Sequence, residues 1–314
     1  MPLSRCTAIV VSFQSEREIS SCLESLLAQR GVELDIHVVD NHSQDGTIAL
    51  VRRSFPSVVV HANPENVGFA RANNQVLRDG SEPAYALVNP DTVLPPDAVR
   101  ACLDHLESHP HVGVAGTRLA YPDGRWQASA HRFLSLSGLL GETVAWERSS
   151  WRHVPGFSPE RASEVDWLQG AFLVVRGEAV RQVGGFDEDF FLYGEEMEWC
   201  YRMRKAGWRT AYLPNPVVRH VGGASGKSVA PRLFVENLKG HLLFFRKHGG
   251  PLAVMTAKTL LATSILGRAA VRELMAAGYR ASGKPLPPGL EERVALFRAA
   301  AAWVLRGQPF RTSR

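Results

Sequence analysis

Residues 34–47 read LDIHVVDNHSQDGT, and their order decides the fold. LDIHVVD (34–40) is an apolar, β-branched run that ends in an acid, and the residues after it are turn formers. A short helix is expected from Gly46. The unit is therefore a strand, a polar turn at its carboxyl end, and a helix. Its neighbours repeat the plan. TAIVVSF (7–13) precedes Ile19, Cys22, Leu23, Leu26 and Leu27, which keep the i, i+3, i+4, i+7, i+8 spacing of a helix face. VVVHANP (58–64) precedes a helix from about Gly68, and AYALVNP (84–90) precedes one after Pro95-Pro96. VGVAGTRL (112–119) closes the series. This alternation predicts an α/β fold with a parallel sheet covered by helices on both faces. Ligands of such sheets sit at the carboxyl ends of the strands, which singles out Ser12, Asp40-Asn41 and Asn89-Pro90-Asp91. Neither GxGxxG nor a Walker P-loop follows any of these runs, which argues against those phosphate sites.

With 314 residues, 45% apolar and 21% charged, the chain has a soluble globular profile and room for one large or two smaller domains. Cys6, Cys22, Cys102 and Cys200 form no CxxC pair and sit among apolar residues. That spacing predicts reduced thiols in a cytoplasmic protein rather than disulfides or a zinc site. The apolar run near the N-terminus reads as a first strand, being too short for a secretory signal. Charge is uneven. Residues 231–314 carry 14 Lys+Arg against 4 Asp+Glu, leaving 22 bases and 27 acids in residues 1–230. An acidic body and a basic tail imply different tasks.

Past residue 120 the pattern loosens. Residues 121–165 read as irregular, LQGAFLVVR (168–176) as a strand, and FFLYGEEMEWCYRMR (190–204) as the start of a helix. RTAYLPNPVVRHV (209–221) reads as extended structure with proline breaks. Beyond Pro231 helices are expected, with Leu233, Phe234, Leu238, Leu242 and Phe245 sharing a face over 231–248. Over 251–279, Lys258, Arg268, Arg272 and Arg280 read as a basic face, with Val254, Leu261 and Ile265 mainly opposite. Lys258 and Arg268 leave nine uncharged residues between them, too few to span a bilayer. A last helix is expected over 291–306 after the loop 281–289.

The residues that could carry chemistry each have a plainer reading. Asp40 lies in a stretch where turn formation alone would account for it, and Asp91 could cap the next helix. A carboxylate at the end of a buried strand is equally suited to hold Mg²⁺ or Mn²⁺ against a diphosphate. Glu198 stands four residues before Arg202, the favourable order for a helical ion pair, and Glu195 shares that side. Glu196 has Trp199, Cys200 and Met203 as helical neighbours, an apolar stripe that would raise its pKa toward that of a general base. An acid favoured by the helix dipole is the rival account. His220, before Gly222-Gly223, is either structural or a metal ligand.

VVSFQSE, VVDNHSQDGT, NVGFARANN, LVNPDT, GGFDEDFFLYGEEMEW and HVGGAS occur in this order between about residues 7 and 226. As an ordered set they resemble the family 2 glycosyltransferases, particularly the rhamnosyltransferase-like branch. The resemblance implies a GT-A fold over 1–230, with a nucleotide-binding half to about 120 and an acceptor-binding half from 121, followed by a helical extension, 231–314. It implies an inverting transfer from a nucleotide-diphospho-sugar to an acceptor hydroxyl of cell-surface polysaccharide or glycolipid. Asp40 matches the family acid that binds the nucleotide base, with Ser12 in the cradling loop. Asn66, Gly68 and Asn74 match the segment lining the nucleotide pocket. Asp91 matches the last acid of the DxD metal motif, with Asn89 in place of the first, and His220 matches a histidine near the metal or diphosphate. Glu196 falls where the family has its catalytic aspartate; Trp167, Gly170 and Glu195 take supporting or acceptor-side roles.

The implied donor is dTDP-rhamnose and the implied cofactor Mg²⁺ or Mn²⁺. The alternatives are a hexose, galactofuranose or N-acetylhexosamine from a UDP-sugar, or a non-catalytic nucleotide-sugar or glycan-binding module. Trp126, Trp146 and Trp151 are candidates for acceptor recognition, against a plain surface loop. The basic tail has two readings, a peripheral contact with the inner face of the cell membrane beside a lipid-linked acceptor, or a homodimer interface. Nucleic acid is not an expected partner, because no recognition motif or interleaved stacking aromatics accompany the bases.

Overall fold

The computed structural model describes residues 3–77, 80–144, 154–222 and 230–306. Trp146, Trp151, Gly223–Ser225 of the last motif and the tail 307–314 lie outside them. The chain forms two compact units. One holds residues 1–133, 153–191 and 195–225; the other holds 134–152, 192–194 and 226–314.

In the first unit the expected repeats are present. They are β1 (Arg5–Ser12), α1 (Ile19–Leu27), β2 (Glu33–Asp40), α2 (Thr47–Ser54), β3 (Val59–Ala62), α3 (Phe69–Leu77) and β4 (Ala84–Val88). A short β5 (Thr92–Val93), α4 (Ala98–Ser108) and β6 (Val112–Ala120) follow. The 121–165 span, expected to be irregular, contains β7 (Trp126–Gln127), β8 (Ala130–His131), α5 (Leu136–Val144) and β9 (Ser163–Val165). Then come β10 (Trp167–Leu168), β11 (Phe172–Arg176), α6 (Gly177–Val183), α7 (Glu195–Lys205) and β12 (Arg209–His220).

The main sheet runs β3-β2-β1-β4-β11-β6-β12-β5, with β7 on β6 and β9 on β12. Its first four strands are parallel, but β11 is antiparallel to both β4 and β6, so the sheet is mixed. The parallel arrangement expected of the first strands is present, and β11, whose apolar run carries no information on direction, makes the whole sheet mixed. All five residues of β4 are buried, as befits a strand covered on both faces. In β12 the register with β6 slips between Leu213 and Val218, across Pro214 and Pro216, which have no N–H for the ladder. All four cysteines are buried and unpaired.

The second unit contains α5, α8 (Ala230–His248), α9 (Gly250–Ala281) and α10 (Leu290–Arg306). Leu238, Leu242 and Phe245 of α8 are buried, as the helical spacing requires. The expected split of α9 into a basic and an apolar face fails at Arg272, while Lys258 and Arg280 are exposed as expected. Leu261, Ile265 and Arg272 are buried together, because the eleven residues from 261 to 272 turn through about three full turns at 3.6 residues each. The Arg272 guanidinium lies 4.3 Å from the centre of the Phe297 ring, a cation–π contact inside the unit. The outer face of α9 also carries apolar side chains, with Leu252 and Leu274 each 72% exposed and Met255 62%. By length and composition α9 reaches the threshold for a membrane span, contrary to the count of residues between Lys258 and Arg268. Its inner face, which includes Arg272, is packed against protein.

Candidate active site

The carboxyl ends of β1 and β2 are in register, so Ser12 pairs with Asp40. Ser12 Oγ donates to Asp40 Oδ2 at 2.9 Å, while Ser43 donates its amide to Oδ1 at 2.8 Å and its hydroxyl to Oδ2 at 2.6 Å. Asp40 has no exposed surface. In this arrangement the carboxylate ties two loops together, the turn-forming account of that residue. Next to it, Asn41 donates to the Gly68 carbonyl at 3.1 Å. Gly68 adopts φ +86°, and a Cβ there would stand 2.6 Å from the Phe191 carbonyl oxygen, so the position requires glycine. Asn66 Oδ1 accepts the Gly68 amide at 3.0 Å and fixes this turn. Asn74 lies further along α3. Its amide brackets Phe186, donating to that carbonyl and accepting that N–H, each at 2.9 Å, so it clamps the segment before α7.

A second cluster forms where β12 ends against β5. His220 Nε2 lies 3.2 Å from Asp91 Oδ1 and 3.4 Å from Asn89 Nδ2, and its Nδ1 lies 3.0 Å from Gln127 Oε1. Asp91 Oδ2 accepts the Gly222 amide at 3.0 Å. Burial would raise the Asp91 pKa, but the hydrogen bond and charge of His220 and the Gly222 N–H outweigh it, and the group is held below the usual carboxylate value. The structure thus brings Asn89 and Asp91 together with His220, which lies 131 residues beyond Asn89.

The three glutamates opening α7 have three environments. Glu198 is buried and takes the Arg202 Nε at 2.9 Å on both oxygens, while Arg202 also donates to the Val183 and Gly185 carbonyls at the end of α6. Glu195 is 2% exposed with its Oε2 lacking a hydrogen-bond partner. Burial, and then the charge of Glu196, push its pKa well above the ordinary value. Glu196 is half-buried, and its Oε1 accepts the Gly170 amide at 3.0 Å. The fully buried acid is therefore Glu195, and the expected burial of Glu196 on the apolar stripe is corrected to a half-buried position. Trp199, Cys200 and Met203 are buried, but helical side chains lean toward the N-terminus. Glu196 accordingly reaches back to the Gly170 amide before the helix.

Gly170 and Ala171 join these parts. A Cβ on Gly170 would stand 2.7 Å from Glu196 Oε1, so glycine permits the approach. The Ala171 carbonyl accepts the Asn89 amide at 3.0 Å and the Thr92 hydroxyl at 3.3 Å. One dipeptide therefore carries the Glu196 carboxylate on one residue and the Asn89–Asp91 turn on the next. Trp167 is buried, donating Nε1 to the Arg132 carbonyl at 2.8 Å, with its ring tilted against His131 at 4.5 Å between centroids. That packing fits a supporting role and leaves no free ring face for an acceptor. Trp126 is 39% exposed beside Phe157. Sequence reasoning missed Gln127 and Ser43. Ser43 lay in a quoted turn, but Gln127 has no local signal.

The profile of the family described as "Glycosyltransferase like family 2" matches residues 4–234. The chain belongs to glycosyltransferase family 2. This glycosyltransferase is 28% identical over 263 residues to the N-acetylglucosaminyl-diphospho-decaprenol L-rhamnosyltransferase of Mycobacterium tuberculosis, covering 77% of this chain and 84% of that one. It is 25% identical over 182 residues to the rhamnosyltransferase WbbL of Escherichia coli K12, covering 55% and 67%. Among solved structures, the mannosyltransferase PcManGT of Pyrobaculum calidifontis, in complex with GDP-Man and Mn²⁺, superposes with a TM-score of 0.57 at 19% identity, covering 97% and 88%. That likeness is one of fold, and the fold is GT-A.

Among the described residues of the glycosyltransferase, no three His, Cys, Asp or Glu side chains converge as a self-sufficient metal cage. Asp91, His220 and Asn89 offer one carboxylate, one imidazole and one amide. Such a partial set suits a hard divalent cation that keeps coordination places for water and substrate phosphate oxygens. The donor chemistry fits Mg²⁺ or Mn²⁺.

Proposed function

We propose that this enzyme transfers a sugar, rhamnose from dTDP-rhamnose, to a hydroxyl of a lipid-linked glycan in cell-surface polysaccharide synthesis, with inversion at the anomeric carbon. The observation that carries the reading is the Gly170–Ala171 junction, which sets a half-buried carboxylate beside the Asn89–Asp91 turn. Glu196 takes the proton from the acceptor hydroxyl as that oxygen attacks. The Gly170 N–H holds the carboxylate in place before attack. Asp91, His220 and Asn89 would hold the divalent cation, which would offset charge on the departing diphosphate. The loops tied by Ser12, Asp40, Asn41 and Gly68 would bind the nucleotide. One carboxylate base and a stabilised leaving group are sufficient for inversion, whereas a glycosidase requires two opposed carboxyl groups. Rhamnose is favoured because two similar proteins carry rhamnosyltransferase names. The lipid-linked acceptor is favoured by the decaprenol-diphosphate substrate in the name of the mycobacterial relative.

The exposed apolar face of α9 supports a peripheral place on the inner membrane surface, where the acceptor lipid resides. Apolar insertion would add to the electrostatic contact expected from the basic residues, of which Lys258 and Arg280 are exposed and Arg272 faces inward.

The test is sugar turnover. Wild type should consume dTDP-rhamnose in preference to UDP-hexoses when given a lipid-linked glycan. Glu196→Gln should lower kcat by about 10²–10⁴, the usual contribution of a general base. Wild-type kcat in that variant removes Glu196 from the mechanism. Donor binding without turnover in wild type would instead identify a glycan- or nucleotide-sugar-binding module.

A further inference from the structure

Gln127 is 6% exposed, in a two-residue strand paired to β6 opposite Leu119. Its amide sits against His220 on one side and Gly222 on the other. Its Oε1 is 3.0 Å from His220 Nδ1, and a Cβ on Gly222 would be 3.0 Å from its Nε2. Gly222 donates its N–H to Asp91 Oδ2, and Asp91 Oδ1 faces His220 Nε2. Gln127, His220, Asp91 and Gly222 thus form a closed circuit of contacts.

A neutral imidazole has one N–H and one lone pair, and whichever nitrogen donates leaves the other to accept or to ligate. When Nδ1–H donates to Gln127 Oε1, Nε2 carries either the proton it gives to Asp91 or, once that proton has left, a lone pair that converges with Asp91 Oδ1. Two electron-pair donors aimed at one place are what a divalent cation requires. Ligating histidines generally give their second N–H to an oxygen that fixes the ring and its tautomer.

We propose that Gln127 is a positioning residue for the cation site: its carbonyl takes the Nδ1–H of His220 and presents Nε2, with Asp91, to Mg²⁺ or Mn²⁺. This rests on the cation reading above. An uncharged acceptor orients the ring without adding a negative charge that would draw a second proton onto it. Asp91 then remains the sole carboxylate of the trio, and Gln127 acts entirely through His220.

The experiment measures Mn²⁺ binding to the full chain with dTDP present, using the electron paramagnetic resonance signal of free Mn²⁺. Gln127→Met keeps the shape and removes the acceptor; Gln127→Glu keeps an acceptor oxygen. Gln127→Met should weaken Mn²⁺ binding by about 10- to 100-fold, the usual loss when such a partner is removed. Gln127→Glu should stay within a few-fold of wild type. Nitrogen-15 spectra of His220 in the Mg²⁺-saturated wild type should show the proton on Nδ1. Mn²⁺ affinity in Gln127→Met within twofold of wild type overturns the proposal, as does a proton on Nε2 in the wild type. The wild-type spectrum decides alone if Gln127→Met fails to fold. Absence of Mn²⁺ binding by wild type with dTDP also overturns it. Sugar transfer that continues in EDTA would then leave the glycosyltransferase reading standing.

Discussion

Glu195→Gln separates the buried acid of α7 from the reactive one. The wild-type carboxyl is 2% exposed, with one oxygen unpartnered and the charge of Glu196 nearby. Its folded pKa is raised above the unfolded value of 4.5, so the native state keeps a proton that the unfolded chain releases. Stability therefore falls as pH rises above that value, until the folded group itself ionises. For as long as the folded group keeps its proton, each pH unit above the unfolded value costs about 1.4 kcal/mol. Glutamine has nearly the same shape and no proton to lose. A buried amide lacking a partner shifts the variant by a constant, but it leaves the slope untouched. Urea denaturation midpoints from pH 5 to 8, converted through the common m value, read the difference directly. The expected result is a stability gap in favour of the variant that widens with pH. Parallel curves for the two proteins would refute the assignment of the raised pKa to Glu195.

Three further outcomes are expected. Gly170→Ala should lower kcat by about 100-fold, since the new Cβ displaces Glu196 Oε1 from 2.7 Å and misplacement near 1 Å carries that cost. The donor KM should stay within twofold, and an unchanged kcat would show that the Gly170 contact does not place the base. Glu198→Ala should destabilise the fold by about 3 kcal/mol in urea melts, the low end for breaking a buried pair, because Arg202 retains two carbonyl acceptors. Leu252→Ser combined with Met255→Ser and Leu274→Ser should abolish co-flotation with liposomes containing anionic lipid while keeping the melting temperature. If wild type remains with the soluble fraction and sediments as a dimer, the apolar face is a protein interface.

Some of this was legible in the sequence because its cause is local. The β-branched runs ending in Ser12, Asp40 and Asn89 became strand ends because alternation of apolar runs and turn formers is a short-range property. The Glu198–Arg202 pair follows from four-residue spacing alone. What was hidden depends on distance in sequence or on direction in space. Gln127 meets His220 across 93 residues, and no spacing rule spans that gap. Glu195 and Glu196 are adjacent and chemically identical, so the wall that buries one and not the other had to be seen. In α9 the spacing, correctly counted, already returns Arg272 to the face of Leu261 after three turns; what only the structure shows is the Phe297 ring that receives its guanidinium.

The direction of β11 matters most for the site. Because it runs antiparallel to β4, Phe172 lies opposite Val88, and the residues entering β11 stand at the carboxyl ends of the parallel strands. Gly170 and Ala171 are those residues, and they hold Glu196 and the Asn89–Asp91 turn. A parallel β11 would have brought its other end there, Arg176 and Gly177, with a guanidinium where a carboxylate is held. Arg176 instead sits at the opposite edge, donating to the Val112 carbonyl at the start of β6. The candidate base is thus placed by a reversal that leaves no trace in LQGAFLVVR. Once that reversal is known, the need for glycine at 170 follows from the space Glu196 occupies.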